Sequence, residues 1–460
     1  MESASHRNAR TDAIPLTREG VDAAHRALRE HLFESPLLPS PALGELTGAE
    51  VYLKAENIQR TGSFKVRGSV NKLRKLVENT GDAIPEVTAA SAGNHAQGVA
   101  YAAGRLGIRS TIFMPRDAPV AKKRATRDLG ARVRLQGRNY DEARAASLEY
   151  AERRGAVFVD GFDDWDIIEG QGTIGVEIAG RLADAPPDYV LVPAGGGGLL
   201  AGILFYLRQV YGDAPRVIGV QSERAPALYE SLRRFRAATE GAEADRGTAA
   251  ADPAAGDATG DGTLPLQVPT RPTIADGIRI GQPGERPWRV IREHVDDIVC
   301  VGEESLYEAI MHLYERSRLV VEGAGAAGVA ALVSGAVTPP EGARVVVVVS
   351  GGNVDAGAME KIISAYLFES GRRAVFRIKV KDLPGQLARV VSIFERENIN
   401  IAEIEQPPVL AKPISPEYTV FDICVETEGK SHIPRILRAL EGERERMRLE
   451  GQEPFEIMRR

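Results

Sequence analysis

The chain has 460 residues and only two cysteines, Cys300 and Cys424, far apart and outside any C-x-x-C spacing. That excludes a disulfide framework and a thiolate metal clip, and it fits a reducing cytoplasm. Histidine is scarce too. His6, His25, His31, His294, His312 and His432 show no ligand spacing and read as ordinary surface or core residues. Aromatics are 6% of the chain, and 58 Lys and Arg face 64 Asp and Glu, for a net charge of −6. Stacking platforms and a basic excess are both missing, which argues against a nucleic-acid partner. No apolar run reaches membrane-spanning length. The segment from Met1 to Ala13 is polar, lacks the apolar core of a signal peptide, and reads as a flexible tail over 1–13.

What the chain does have is apolar residues at 43%, enough for large cores, in a length that suits two or three domains. It also has glycine-bearing motifs that come in a telling order. The first is Thr61-Gly62-Ser63-Phe64-Lys65-Val66-Arg67-Gly68. A lysine between small and aromatic residues suits a Schiff-base amine, which must be neutral part of the time and so needs burial or a nearby cation. Phe64 can cover one face of an aromatic cofactor, and Arg67 adds positive charge two residues on. The second, Ser91-Ala92-Gly93-Asn94-His95, follows a strand end at Val87 to Ala90. Its small residues let backbone N–H groups approach a carboxylate at a helix start, and Asn94 can donate to a cofactor oxygen. In the third, the apolar run Val190-Leu191-Val192-Pro193-Ala194 ends in Gly195-Gly196-Gly197-Gly198-Leu199. That is the construction of a phosphate cradle, and it is neither a Walker motif nor a spaced dinucleotide fingerprint. The fourth is a valine run, Val345 to Val349, that delivers Ser350-Gly351-Gly352-Asn353.

Together these four motifs resemble the threonine ammonia-lyase (threonine dehydratase) family, pyridoxal 5'-phosphate enzymes of the tryptophan-synthase-β-like fold, fold type II. The likeness runs from about Ile14 to Leu367. It implies that Lys65 holds the cofactor and Phe64 packs on its ring. It implies that Asn94 bonds the ring hydroxyl, that Gly195 to Gly198 with Leu199 bind the phosphate, and that Ser350 meets the pyridine nitrogen. Ser91, Ala92, Gly93, Asn94 and His95 would hold the carboxylate of an amino-acid substrate. Some relatives hold a divalent metal after the strand ending here in Gly219-Val220. Gln221 and Ala227 stand where those relatives carry carboxylates, so no metal site is expected.

The periodicity agrees with an α/β fold. Short strands and helices alternate from Thr88 to Phe158 and again from Trp165 to about Ala365, which predicts parallel sheets in two lobes. We therefore expect a catalytic region over 14–370, its smaller lobe at about 60–158, with an acidic low-complexity insertion at 236–265. From Glu240 to Gly262 that insertion offers no apolar face and reads as a mobile surface segment, with a lid before Thr273-Ile274-Ala275-Asp276-Gly277 as the alternative. The pattern changes at Gly371. A β-α-β-β-α order follows, with the last strand unclear, though Pro454 to Met458 could supply it. This α+β ferredoxin-like unit over 371–460 resembles an ACT domain, an amino-acid-binding regulatory module. Leu383-Pro384-Gly385 would take an effector carboxylate at a helix start. Asn398 or Asn400 would bond its ammonium or the neighbouring strand.

The reading implied is β-elimination and deamination of L-threonine to 2-oxobutanoate and ammonia. Lys65 would be the general base, and a branched-chain amino acid, isoleucine first, the effector of a homo-oligomer. A serine dehydratase or serine racemase is the runner-up. Racemisation needs an acid on the face opposite Lys65, where those relatives carry serine and this chain has Ala92. Val66 replaces the aspartate of the related synthases. A catalytically dead amino-acid sensor would not need an intact Lys65 and phosphate loop. His95 reads as structural or carboxylate-orienting. For Glu322, which the likeness puts near the ring edge, capping, hydrogen bonding and chemistry all stay open.

Overall fold

The strand Arg344–Val349 explains the architecture of the catalytic region. All five of its valines are fully buried, so both faces of the strand are covered, as in a parallel sheet sandwiched by helices. Each buried valine contributes roughly 1.5–3 kcal/mol relative to exposure. In this computed structural model, which describes residues 14–80, 86–245, 263–407 and 417–458, the strand lies at the heart of a six-stranded sheet. Glu50–Ala55 and Tyr189–Pro193 flank it in parallel, followed by Arg216–Ser222 and Asp297–Val301. Leu37–Pro39 closes the far edge antiparallel. A smaller, wholly parallel sheet runs in the order Arg132–Leu135, Ser110–Met114, Val87–Ala90, Val157–Phe158. The motif residues Ser91, Gly195 and Ser350 all follow the carboxyl ends of parallel strands, the edge where α/β sheets bind ligands.

The helix Lys65–Thr80 begins at the lysine itself. It crosses the helix Trp165–Arg181 where two glycines meet. A Cβ on Gly170 would lie 2.6 Å from the Cα of Gly68, so any side chain there would push the helices apart.

Two residues into that helix, Arg67 is buried in a network of four charges. Its guanidinium donates to both carboxylate oxygens of Glu56 (2.8 and 2.8 Å) and to both of Glu177 (2.6 and 2.8 Å), with Thr173 Oγ1 as a further acceptor at 3.1 Å. Lys54 Nζ donates to Glu177 and to the carbonyl of Ser35. Two cations meet two carboxylates, and all four residues are buried. The Arg67 charge is thus spent on Glu56 and Glu177, which corrects its expected part as the cation activating Lys65.

Two stretches run differently from the sequence reading. The helix Ala227–Asp245 continues ten residues past the expected start of the insertion. Leu232 and Phe235 pack it to the core, and the Ala- and Glu-rich residues that follow are good helix formers. The rest of that stretch, 246–262, and the expected tail, 1–13, lie outside the described residues.

The chain divides into two compact units, 1–355 and 356–460. The helix Ala356–Glu369, expected in the catalytic region, falls with the second because it turns at Gly371 (φ 70°) straight into the strand Arg373–Lys381. That unit is a four-stranded antiparallel sheet, ordered Ile401–Glu405, Tyr418–Glu426, Arg373–Lys381, Glu456–Met458. The final strand, left unclear by the sequence, completes β-α-β-β-α-β. Helices Gln386–Arg396 and Ile433–Leu449 supply Val390, Phe394, Ile436 and Leu440 to its core.

Replacing Arg67 with Met leaves two buried carboxylates with Lys54 alone between them, so we expect a loss of about 3–5 kcal/mol in urea unfolding of the catalytic region. Burial pushes the Glu177 carboxyl up, but Arg67 and Lys54 outweigh it and hold it below the usual range. A depressed carboxylate stabilises above its unfolded pKa and loses that contribution as pH falls through the folded value. The Met variant should therefore be less sensitive to acid than the wild type. An unchanged urea midpoint would show that the network does not carry this stability.

Candidate active site

Lys65 reaches its place through a seam between two loops. Gly62 turns the chain in the left-handed region (φ 71°), and Gly352 N donates to its carbonyl at 2.9 Å. Ser63 and Gly351 form a bridge, and Phe64 N donates to Ser350 O at 3.1 Å. A Cβ on Gly62 would lie 2.4 Å from Asn353 Oδ1, so only glycine fits the seam. The lysine motif and the serine motif, almost three hundred residues apart in sequence, thereby share one wall.

The Lys65 side chain is half-buried, and its amine donates to the carbonyl of Gly161 at 2.6 Å. It lies 5.2 Å from the Phe64 ring centroid and 5.9 Å from that of Phe162. Burial lowers its pKa to about 8, against the opposing pull of Asp160 and Glu322. No neighbouring cation is needed.

The second motif leads into the helix Asn94–Arg105, whose start no side chain caps, with Gly93 N donating to Ser91 Oγ at 3.1 Å. Asn94 is held from both sides. Its Nδ2 donates to Glu322 Oε1 at 2.6 Å, and its Oδ1 accepts from Asn353 Nδ2 at 2.8 Å. Burial, then Asp276, pushes the Glu322 carboxyl up to about 7, while Asn94 and Lys122 pull the other way. His95 Nε2 is 2.9 Å from the carbonyl of Val159. Burial, then Lys65, lowers its pKa to about 4, so the ring is neutral near pH 7 and donates to that carbonyl.

The glycine run bridges the strand Tyr189–Pro193 and the helix Gly198–Tyr211. Gly197 is left-handed (φ 98°) and no side chain caps the helix start. Its first N–H groups therefore have no capping side chain, the arrangement that receives an anion. A Cβ on Gly196 would lie 2.4 Å from the Phe162 ring.

These groups line one cavity of about 320 Å³, bounded by Lys65, Ser91 to His95, Gly195 to Leu199 and Ser350. Sequence reasoning passed over Gly161, Phe162, Tyr140 and Lys122, which line it too. The turn Asp160-Gly161 straight after the strand Val157–Phe158 was the available signal, since it lies at another parallel strand's carboxyl end. Where relatives are expected to hold a metal, Gln221 Oε1 accepts from Tyr229 N at 2.9 Å and Ala227 is fully buried.

In the second unit, Leu383, Pro384 and Gly385 are exposed, with Gly385 left-handed (φ 87°) before the helix. Asn398 is left-handed as well (φ 55°) and ends that helix, with Ile399 N closing onto Phe394 O. Asn400 Nδ2 donates to Glu426 on the neighbouring strand at 2.8 Å.

Comparison with known proteins agrees with this geometry. Residues 28–351 match the family model "Pyridoxal-phosphate dependent enzyme", and residues 374–445 match "ACT domain". An L-threonine ammonia-lyase of Thermotoga maritima is 39% identical over 425 residues, 92% of this chain and 97% of that one. The solved threonine deaminase isoform 2 of Solanum lycopersicum is 31% identical at a TM-score of 0.65, covering 75% of this chain and 92% of that one. The maize serine racemase structure is 26% identical at a TM-score of 0.63, covering 76% and 98%. By the span of these matches, the chain belongs to the pyridoxal-phosphate dependent enzyme family, with the threonine ammonia-lyases, and carries an ACT domain after its catalytic region.

Proposed function

We propose that this enzyme converts L-threonine to 2-oxobutanoate and ammonia with pyridoxal 5'-phosphate. The observation that carries the reading is a lysine amine lowered to about 8 by burial, in the same cavity as an uncapped glycine helix start. The residues present fit the cofactor. The cradle at Gly195 to Gly198 is one a Cβ would fill, and it suits a phosphate. Phe64 suits a ring face, Asn94 a ring hydroxyl, and Ser350 a ring nitrogen. When bound, the cofactor supplies the electron sink that makes the substrate Cα–H bond acidic.

The rest of the chemistry belongs to the chain. Lys65 captures the cofactor and later takes the Cα proton as general base. The N–H groups of the Ser91 to His95 loop orient the substrate carboxylate, with neutral His95 fixing that loop to the Val159 carbonyl. The β-hydroxyl leaves as water, and a second water replaces the amino group. Ser350 offers a neutral hydroxyl and does not force a proton onto the ring, which favours prompt elimination over a long-lived carbanion. Ala92 lines the cavity with a methyl group and has no proton to return, which weighs against racemisation.

We assign the C-terminal unit to regulation by a branched-chain amino acid, isoleucine first, at Leu383 to Gly385 with Asn398. Asn400 is engaged by Glu426, which supports its role in strand pairing. The same reading puts the enzyme in isoleucine formation, as a homo-oligomer in the cytoplasm, where free Cys300 and Cys424 are stable.

The direct test is formation of 2-oxobutanoate from threonine with added cofactor. Lys65→Ala should abolish it together with covalent cofactor capture, and near wild-type turnover in that variant would sink the assignment.

The amine reacts only when neutral, so a pKa of about 8 also sets the pH dependence of capture. For the stripped protein, the growth rate of the visible absorbance band should rise about tenfold from pH 7 to pH 9 and then level off. An ordinary lysine would still be climbing steeply at pH 9.

Ser350→Asp should increase carbanion side products and change the cofactor spectrum. An unchanged product ratio and spectrum would remove Ser350 from the ring nitrogen.

A further inference from the structure

We propose that Lys122 and Asp276 are positioning residues for this reaction, their ion pair latching the small lobe across the rim of the cavity and setting how well substrate is retained. The inference rests on the threonine reading for its kinetics but not for its structural readout.

Lys122 Nζ lies 3.1 Å from Asp276 Oδ2, and both residues line the cavity that holds Lys65. Their side chains are 23% and 55% exposed, so the pair sits at the rim in contact with water. The two partners are anchored unequally. Lys122 belongs to the helix Val120–Asp128, whose buried residue is Thr126 alone among the described ones. So small a buried face holds a helix weakly, and weakly held elements open first. Asp276 starts the short turn Asp276–Ile278, which is pinned on three sides. Ile278 is buried against Gly195, whose added Cβ would lie 2.9 Å from the Ile278 Cα. Gly277 is tight against Ala324. Upstream, Glu303 accepts from Ile274 N at 2.9 Å and from the Thr273 hydroxyl.

The pair therefore ties a loosely packed helix of the small lobe to a turn seated on the glycine cradle. An exposed pair of this kind shifts an equilibrium only by about fivefold or less. That suits a contact which must break at every turnover, where a buried pair would hold the site shut. It stabilises the closed state equally with substrate and with transition state, so its loss falls on KM and spares kcat.

The test is a double-mutant cycle on threonine turnover. Lys122→Met and Asp276→Asn should each raise KM about two- to fivefold with kcat within about twofold, and the double variant should be no worse than either single. Lys122→Arg should restore KM. Asp276→Asn removes a charge that pushes Glu322 up and Lys122→Met one that pulls it down, so the kinetic cycle carries both effects and the digestion isolates the pair. A second readout needs no substrate. Asp276→Asn keeps the trypsin positions Lys122, Lys123, Arg124 and Arg127, and cleavage there should be about two- to fivefold faster than in the wild type. Single effects on KM that multiply in full, or cleavage no faster than wild type, would overturn the latch. If the wild type does not turn over threonine, the proposed function fails and the digestion decides the latch alone.

Discussion

The catalytic region depends on a buried guanidinium whose two-edged fork a lysine would not reproduce. Arg67 presents two edges of its planar fork to two carboxylates at once, Glu56 beyond the strand Glu50–Ala55 and Glu177 on the helix Trp165–Arg181. A lysine is a point charge and cannot fix both orientations. The geometry therefore locks three elements together: a strand of the large sheet, the crossing helix, and the helix that begins with Lys65. Buried ion pairs are poor sources of net stability, because desolvation offsets most of the attraction. Their yield is a defined arrangement. Here the arrangement fixes the start of a helix two residues upstream, where a displacement of an ångström would take the amine from the Gly161 carbonyl.

The site treats its own charges in the opposite way. Burial raises the carboxyl of Glu322 to about 7 and lowers the amine of Lys65 to about 8 and the imidazole of His95 to about 4. Each shift disfavours the charged form. Near neutral pH His95 is then neutral and Glu322 about half ionised, while Lys65 is still mostly protonated. Backbone N–H groups can receive anions at the uncapped helix start after Gly197 and along the loop before Asn94. Such donors do not titrate and need no reorganisation when charge shifts during a reaction.

The gathering of the four motifs around one cavity was legible in the sequence because each motif advertises a local constraint. Gly195 to Gly198 can only follow a strand and open onto an anion, and Lys65 stands among small and aromatic neighbours. The alternation of strands and helices gave both sheets, since a short β-branched run between turn residues, such as Val345 to Val349, favours a strand buried on two faces. What stayed hidden is what depends on three-dimensional closure. The charge of Arg67 looked like an activator of Lys65, because sequence distance showed the lysine two residues away and not the carboxylates of Glu56 and Glu177 folded around it. Gly161 and Phe162 carry no distinctive side-chain chemistry, since the first acts through its carbonyl and the second through its ring plane. The helix through Asp245 ran beyond a break set by composition, because alanine and glutamate are read as low complexity and yet favour helix. The second unit began one helix early for a similar reason, a continuous run into Arg373 that composition does not mark.

The seam between Gly62-Ser63-Phe64 and Ser350-Gly351-Gly352 is a backbone frame within which single side-chain groups can set the reaction type. Phe64 N and Ser350 O are bonded, so the residue proposed to face the ring and the residue proposed to face its nitrogen are held at a fixed separation whatever their side chains. Within that frame the side chains differ by single functional groups. A carboxylate in place of the Ser350 hydroxyl would favour a stabilised carbanion, and a hydroxyl in place of the Ala92 methyl would offer a proton for return to Cα. Elimination is then what remains when the frame is kept and both of those groups are withheld. Relatives that share the fold and differ in reaction, such as the racemase at 26% identity, are expected to differ in side chains around the frame and to keep its hydrogen bonds.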